Sequence, residues 1–317
     1  MVKIAIAGGS GNVAQEIIDV LVASKKHEIL LLSRNDAPAG SVVKGVTWIK
    51  ANYEDPEQLA QILQGVHTVL SFVAISGDAA STIQRNLIDA AILAGVKRFA
   101  PSEWSTSGLK HLSWYAYKAE ARQYLKELNK DKKVLEYSLF QPGLFLNYFT
   151  SPYKSSKHLH AMEIPFDFNN RRALVLDGGD DDRITITTVQ DLANVVAKAI
   201  DFEGEWPVVS GIRGVDMSVR EVIALGEKIR GAPFAIEKLK TSELESGEWK
   251  TSWIPRLDHP SIPVEQVDIF SRIIVAGVLL AISAKGYTCS DEWNQLLPDY
   301  KFTNPEEFFT EAWRGKQ

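Results

Sequence analysis

The sequence predicts an α/β protein: a Rossmann-type doubly wound parallel sheet followed by a smaller, mostly helical C-terminal substrate domain. Three observations predict it. Residues Val2 to Arg34 read as strand, glycine-rich turn, helix and strand. Apolar runs then recur through Ala100 with amphipathic segments between them, the pattern of parallel strands covered by helices on both faces. Beyond Tyr153 the alternation gives way to irregular pieces. The expected organisation is a dinucleotide domain over 1–153 and a mixed region over 154–317, with about 184–210 returning to the first domain.

The apolar run Val2 to Ala7 meets Gly8, Gly9, Ser10 and Gly11, and an apolar-periodic segment from about Asn12 to Ala23 precedes a second run, Glu28 to Leu32. Gly9, Gly11 and Ala14 spell G-x-G-x-x-A, while Gly8, Gly11 and Ala14 spell the looser G-x-x-G-x-x-A. Glycines permit a turn that side chains would obstruct, and they bring the backbone close to a pyrophosphate at the unsatisfied N–H groups of the helix start. Gly8, Gly9, Ser10, Gly11, Asn12 and Val13 are therefore candidate cofactor contacts. Such turns also close strands for purely structural reasons; the position directly after an N-terminal strand favours the binding role.

At the end of the second strand, an Asp or Glu commonly receives the ribose hydroxyls of NAD, whereas an Arg accommodates the extra phosphate of NADP. The chain reads Ser33, Arg34, Asn35 there, with Asp36 next. Arg34 favours NADP(H), with Ser33 and Asn35 helping. A plain surface arginine is the alternative, and Asp36 reverses the preference if the strand ends later.

Val46 to Lys50 is the third strand, and a helix begins near Pro56. Val66 to Val73 is a fourth apolar run, ending on two more candidate cofactor contacts, Phe72 and Val73. Ala79 to Ala94 has helical spacing, Gly95 ends it, and Val96 to Ala100 is the fifth strand. In the next helix, Trp114 to Asn129, Lys118 and Arg122 lie beside an apolar face carrying Tyr117, Ala121, Tyr124, Leu125 and Leu128. Tyr115 stands three positions before Lys118, so one turn can bring the two together. A cationic lysine lowers the cost of a phenolate, and an oriented hydroxyl can hold a substrate oxygen, which makes the pair a catalytic candidate. Surface charge for Lys118 and core or interface packing for Tyr115 are the alternatives.

Leu135 to Gln141 reads as a strand passing into Pro142, Gly143, Leu144 and Phe145, then Leu146, Asn147, Tyr148 and Phe149. This apolar turn is placed to form a pocket wall, with Gly143, Phe145 and Tyr148 as candidate substrate contacts; loop packing is equally consistent. Farther on, Arg172 to Leu176 and Ile184 to Thr188 are strand-like, on either side of Asp180, Asp181 and Asp182. Those acids lack EF-hand spacing and read as a solvated turn. Val189 to Ile200 is a helix, Trp206 to Val209 a strand candidate, Met217 to Arg230 a helix, and Pro305 to Trp313 a last helix. His158 and His160 alternate near Glu163, but HExxH and a second ligand cluster are missing, so no metal site is expected. His111 and His259 lack a local nucleophile, which leaves a hydrolytic triad unsupported.

Composition bounds the rest. The 317 residues, 45% hydrophobic and 24% charged, fit an ordinary globular protein. A formal charge of -5 without a long basic tract gives no reason to expect nucleic acid. Cys289 is the one cysteine, so no intrachain disulfide is possible and a plain thiol is expected. In the apolar region from Ile262 to Ser283, the stretch from Val267 is interrupted by Asp268 and Arg272. It reads as a buried helix rather than a membrane span, with a substrate pocket or subunit interface as other uses. No signal-like segment precedes the first strand, so a cytoplasmic location is the default. Monomer and homodimer both stay open.

Several stretches together resemble the NmrA-like and isoflavone reductase-like branch of the atypical short-chain dehydrogenase/reductase superfamily. GGSGNVA at Gly8 to Ala14 is similar to its glycine turn, SR at Ser33 and Arg34 to its NADP-side signal, and RFAPSEW at Arg98 to Trp104 to its strand-end motif. YAYKAEARQYL at Tyr115 to Leu125 falls where the family carries its active-site lysine. LFQPGLFLNYF at Leu139 to Phe149 and TITTVQDLANV at Thr185 to Val195 extend the likeness over most of the chain. The resemblance implies NADPH as cofactor and an active cleft between a Rossmann domain and a smaller C-terminal domain. It implies Lys118 as the proton-handling group, Ser102 and Glu103 as cleft-organising residues and Phe145 packed near the nicotinamide. Trp114 occupies the position four before Lys118, so the Y-x-x-x-K spacing of ordinary short-chain dehydrogenases is absent. Tyr115 therefore cannot inherit the usual catalytic-tyrosine role.

The expected reaction is hydride delivery from NADPH to an electrophilic carbon of a small aromatic or conjugated ketone, enone or quinone-like metabolite. Lys118, through water or Tyr115, manages the compensating proton. Two rivals stay open. An NADP(H)-binding redox sensor or regulatory protein is favoured if Lys118 does not approach the nicotinamide C4. A cofactor-assisted lyase, cyclase or isomerase of secondary metabolism would bind the cofactor without net consumption of NADPH.

Overall fold

Ile4, Ala5, Ile6 and Ala7 have no exposed surface, which demands cover on both faces of their strand. The computed structural model describes residues 1–38, 44–73, 79–257 and 264–316; His259 and the start of the apolar region at Ile262 lie outside them. The first elements are β1 (Lys3–Ala7), α1 (Asn12–Ser24), β2 (Glu28–Ser33), β3 (Val46–Lys50), α2 (Pro56–Ile62), β4 (Thr68–Ser71), α3 (Ala79–Leu93), β5 (Arg98–Ala100), α4 (Ala116–Leu128) and β6 (Glu136–Tyr137). The six strands are parallel throughout, in the order β3-β2-β1-β4-β5-β6. That is the doubly wound order, and its reversal falls between β1 and β4, where the carboxyl ends of the strands open a crevice.

Local chemistry sets the helix ends. The Asp55 side chain accepts the Gln58 N–H and Pro56 occupies the first turn, so α2 starts where its donors are satisfied. Lys25 closes α1 at φ 55, and Gly95 follows α3 at φ 71. Leu30, Leu32, Val69 and Phe99 of the sheet pack with Leu59 of α2 and Leu87, Ile88 and Ala91 of α3 in one buried cluster.

The chain divides into two compact units. Met1–Trp104, Trp114–Gln141 and Leu192–Ser210 form the first; Ser105–Ser113, Pro142–Asp191 and Gly211–Gln317 form the second. Near the end of the first unit, the apolar run from Leu135 to Gln141 is two strands rather than one. Glu136 and Tyr137 pair with β5, whereas β7 (Leu139–Gln141) pairs with β12 (Val209–Gly211). The exchange happens at Ser138, whose N–H donates to Phe99 while the next N–H, of Leu139, donates to Val208. The strand expected at Trp206 to Val209 begins only at Val209. Trp206 instead is buried as an anchor, donating from Nε1 to the Ala199 carbonyl at 2.8 Å.

The second unit contains β8 (Leu144–Phe145), β9 (Phe166–Asp167), β10 (Arg172–Leu176), β11 (Arg183–Thr187), β13 (Val215–Ser218) and β14 (Ala235–Leu239). They form two small sheets, β14-β10-β9 and β13-β11-β8. Helix α5 (Val189–Asp201) starts in this unit and runs into the first; α6 (Val219–Arg230), α7 (Thr241–Ser246), α8 (Val267–Ser283), α9 (Glu292–Leu296) and α10 (Pro305–Ala312) complete the unit. Helix α6 begins two residues later than its apolar spacing suggests. Ser218 accepts the Glu221 N–H while the Glu221 carboxylate accepts the Ser218 N–H, a capping box that leaves Met217 in β13.

Helix α8 is buried from Val275 to Ile282, with Val275, Ala276, Leu279 and Leu280 in one cluster with Leu174, Leu244, Trp249 and Trp253, and it exposes Ile269 and Ile273. By length and composition the segment Val264–Ser283 could cross a membrane, but 56% of its apolar window is buried within the protein. The acidic turn is ion-paired: Lys238 reaches Asp180 and Arg220 reaches Asp181, each at 3.2 Å. Glu163, the acid beside His158 and His160, accepts the Arg256 N–H at 2.7 Å.

Candidate cofactor cleft and active site

Gly8 through Gly11 form the turn between β1 and α1. Gly8 has φ +71, and a Cβ on it would lie 2.9 Å from the carbonyl carbon of Phe72 and 3.0 Å from the Val73 nitrogen. A Cβ on Gly9 would come within 2.6 Å of Leu31 Cγ, and one on Gly11 within 3.3 Å of the Gly8 carbonyl. Gly8 and Gly11 face backbone at close range, Gly8 is also left-handed, and at Gly9 the Leu31 side chain fills the space of a Cβ. Gly11 is the N-cap of α1 and offers no capping side chain, and the first turn carries no acid. The N–H donors around Asn12 and Val13 therefore have neither a capping side chain at Gly11 nor a first-turn carboxylate beside them.

A cleft of about 200 Å³ is lined by Gly8, Ser10, Gly11, Ser33, Arg34, Asn35, Tyr53, Phe72 and Val73. It gathers the turn, the end of β2 and the end of β4 at the reversal point of the sheet. Arg34 and Tyr53 also line a neighbouring cavity of about 450 Å³ with Lys50, Asn52, Gln58 and Ile83. Arg34 is exposed and has no carboxylate partner among the described residues. Asp36, the rival determinant, is engaged by Lys50 at 2.7 Å. The Ser33 hydroxyl accepts the Asn35 N–H at 3.2 Å, which turns the chain past Arg34.

Tyr53 was not expected in the cleft. It is 4% exposed, and its hydroxyl donates to the Leu32 carbonyl at 3.0 Å while accepting the Gly8 N–H at 3.1 Å. The phenol thus ties the end of β2 to the glycine turn. Burial pushes its pKa up to about 12, so it remains a neutral donor. The available signal was an aromatic residue in the otherwise polar join Asn52 to Asp55.

The second cluster grows from the segment after β5 and from α4. A single helical turn ends at Tyr115, the N-cap of α4. Lys118, 4% exposed, extends its ammonium to 3.6 Å from the Tyr115 ring centroid. The contact is over the ring face, a cation–π arrangement. Lys118 Nζ also donates to the Glu103 carbonyl at 2.5 Å. Burial lowers the Lys118 pKa; Tyr115 and Glu103 oppose that, and Arg122 adds to it. A lysine in this state can exchange a proton more readily than one in water.

Glu103 itself is 1% exposed, its carboxylate gripped by Arg122 through Nε at 2.8 Å and Nη2 at 2.7 Å. Ser102 hydrogen-bonds to the Tyr117 phenol, whose pKa burial raises strongly. Trp104 stacks between Phe72 at 4.3 Å and Phe140 at 5.4 Å, and its Nε1 donates to the Ser71 carbonyl. Its φ of 47 lies in the left-handed region, so the turn carrying Ser102 and Glu103 is held by its surroundings rather than by local preference. Arg122, Tyr117 and Trp104 complete a cluster in which the sequence singled out Ser102, Glu103, Tyr115 and Lys118.

Gly143, Phe145 and Tyr148 lie in the second unit. The Phe145 ring is buried and meets Tyr148 edge to face at 5.6 Å. Gly143 has φ +76, and a Cβ there would fall 2.1 Å from the Thr185 carbonyl oxygen. That close approach to β11 is sufficient reason for glycine. Among the described residues no group of three or more His, Cys, Asp or Glu is placed to hold a metal ion.

A parallel sheet of this order, with a glycine turn at its reversal, defines a Rossmann-type α/β protein. Residues 2–247 match the NmrA-like family, and the chain belongs to it. The oxidoreductase BOA1 of Botryotinia fuckeliana (strain B05.10) is 34% identical over 73% of this chain and 77% of its own length. The crystal structure of isoflavone reductase shares the fold over 98% of each chain, with a TM-score of 0.71 and 17% identity. The NADPH complex of the NADPH-dependent quinone oxidoreductase QOR2 from Escherichia coli covers 98% of this chain and 99% of its own, with a TM-score of 0.68 and 21% identity.

Proposed function

We propose that this protein is an NADPH-dependent oxidoreductase that reduces a small aromatic or conjugated ketone, enone or quinone-like metabolite. The observation that carries the reading is the cleft beside Gly8 to Gly11, which ends on an exposed arginine while the nearby acid, Asp36, is held by Lys50. The backbone N–H groups at the start of α1, around Asn12 and Val13, hold the pyrophosphate, with Gly8 to Gly11 letting it approach, and Arg34, with Ser33 and Asn35, receives the 2′-phosphate. Phe72 and Val73 border the same cleft. The cavity with Lys50, Asn52, Gln58 and Ile83 accommodates the adenosine end.

The bound cofactor supplies a hydride from the nicotinamide C4. Lys118 supplies or manages the proton, burial lowering its pKa from the ordinary lysine value. Tyr115 orients the lysine through its ring face, and Ser102 and Glu103 shape the approach to it. Within the second unit, Gly143, Phe145 and Tyr148 are proposed by themselves as backbone and aromatic contacts for a flat substrate.

The test is a parallel fluorescence titration of cofactor-free protein with NADPH and NADH, followed by a screen for NADPH oxidation against quinones and enones. Preference for NADPH that Arg34→Ala removes is the expected result. Preference for NADH sinks the Arg34 assignment, and binding of neither nucleotide sinks the oxidoreductase reading. Product formation without loss of NADPH would move the protein to redox-neutral lyase, cyclase or isomerase chemistry.

A further inference from the structure

Lysine and arginine four residues apart on α4 lie on one face of the helix, and Lys118 and Arg122 both converge on Glu103. They take different parts of it. The ammonium is received by the main-chain carbonyl, whereas the guanidinium closes a fork on the carboxylate through Nε and Nη2. The fork fixes Glu103 in distance and plane, because two parallel charge-assisted bonds leave the carboxylate little freedom to rotate. Neighbouring Trp104 is in the left-handed region at φ 47, so the turn has little local preference to hold it there. We propose that Arg122 is the positioning residue of the Lys118 site: by gripping the buried Glu103 carboxylate, it fixes the carbonyl that receives the ammonium and cancels the negative charge beside it.

The electrostatic half of this role follows from the groups that face Lys118. Tyr115 approaches from the turn before α4, Tyr117 and Arg122 from α4 itself, and Glu103 from the segment after β5. Glu103 and Arg122 act on Lys118 in opposite senses, the carboxylate favouring the charged amine and the guanidinium disfavouring it. Together they present a dipole, and burial then dominates. Removing Arg122 leaves a carboxylate that holds Lys118 protonated; removing the Glu103 charge leaves a cation that discharges it.

This role rests on the reading of Lys118 as the proton-handling group, and its test is chosen to be independent of turnover. Cofactor-free protein labelled with [ε-13C]lysine is titrated by NMR, the Lys118 resonance being assigned by its disappearance in Lys118→Met. The Lys118 midpoint is expected to rise in Arg122→Gln, fall in Glu103→Gln, and return toward wild type in the Glu103→Gln/Arg122→Gln double variant, which leaves no charge of the pair unpaired. Glu103→Gln leaves behind the more exposed partner, Arg122 at 22% against 1% for Glu103, and carries the reading should Arg122→Gln not fold. An unmoved midpoint in Glu103→Gln, or in a folded Arg122→Gln, overturns the proposal. In active protein, the pH profile of NADPH oxidation is expected to shift in the same direction as the NMR midpoint. Absence of any reductase activity alongside the expected NMR shifts would refute the oxidoreductase reading while leaving the Arg122–Lys118 coupling in place.

Discussion

Replacing Tyr53 by phenylalanine isolates one oxygen atom on which the proposed cofactor cleft depends. That oxygen donates to the Leu32 carbonyl at 3.0 Å and accepts the Gly8 N–H at 3.1 Å. The Gly8 N–H also reaches the Leu32 carbonyl directly at 3.2 Å, so neither backbone group is left without a partner by the substitution. The loss is therefore the net value of two hydrogen bonds, about 1 kcal/mol each, without the larger penalty of an orphaned buried group. The ring stays in its hydrophobic cluster with Leu59, Val69 and Leu87, and no cavity beyond one hydroxyl is created. Tyr53→Phe is expected to lower unfolding stability by about 1–2 kcal/mol in urea titrations. NADPH binding is expected to weaken by up to about tenfold, since about 1.4 kcal/mol of that loss bears on the turn proposed to hold the pyrophosphate. Unchanged stability and unchanged affinity together would refute the claim that this phenol ties β2 to the turn. A stability loss with affinity intact would confine its role to the core.

Four further outcomes follow from the structure. Gly8→Ala places a methyl group 2.9 Å from the Phe72 carbonyl carbon in a left-handed residue, and is expected to cost at least about 2 kcal/mol and to abolish NADPH binding, as measured by urea unfolding and fluorescence titration. Lys118→Met is expected to remove NADPH oxidation while leaving NADPH affinity within about twofold; in the wild type, a rate that needs the ammonium falls as pH rises through a midpoint below the ordinary lysine value of 10.5. Between that lowered value and 10.5 the unfolded chain binds more protons than the folded one, so wild-type stability gains from rising pH there, and a comparison of urea midpoints should show Lys118→Met without this gain. Cys289 has no exposed surface and burial pushes its thiol up to about 12, so a disulfide reagent at mildly alkaline pH should find no reactive thiol in the native protein and one after unfolding.

What was legible in the sequence is what the backbone determines locally. The glycines after β1 advertise a left-handed residue and a close approach, and Arg34 reads from its place at a strand end; both depend on near neighbours in the chain. Strand ends were less legible where tertiary donors decide them. Nothing in the apolar run Leu135 to Gln141 announces that its N–H groups change partners at Ser138, because the partners Phe99 and Val208 are remote in sequence. The capping box at Ser218 and Glu221 is, by contrast, a local signal, and it starts α6 after Ser218 where apolar spacing alone extends the helix to Met217.

The same distinction explains the cluster around Lys118. Helical spacing brings Tyr115 within reach of the amine but does not reveal that the amine meets the ring face, nor that it is buried. Those facts depend on Glu103, separated from Lys118 by 15 positions and from Arg122 by 19. An isolated buried ammonium would be costly, and so would an isolated buried carboxylate. Each is tolerable here because one residue presents its carbonyl to the lysine and its carboxylate to the arginine. Arg122 therefore follows from Glu103 once burial is known: a carboxylate with 1% exposure needs a cation with matching geometry, and on α4 the residue one turn beyond Lys118 supplies it.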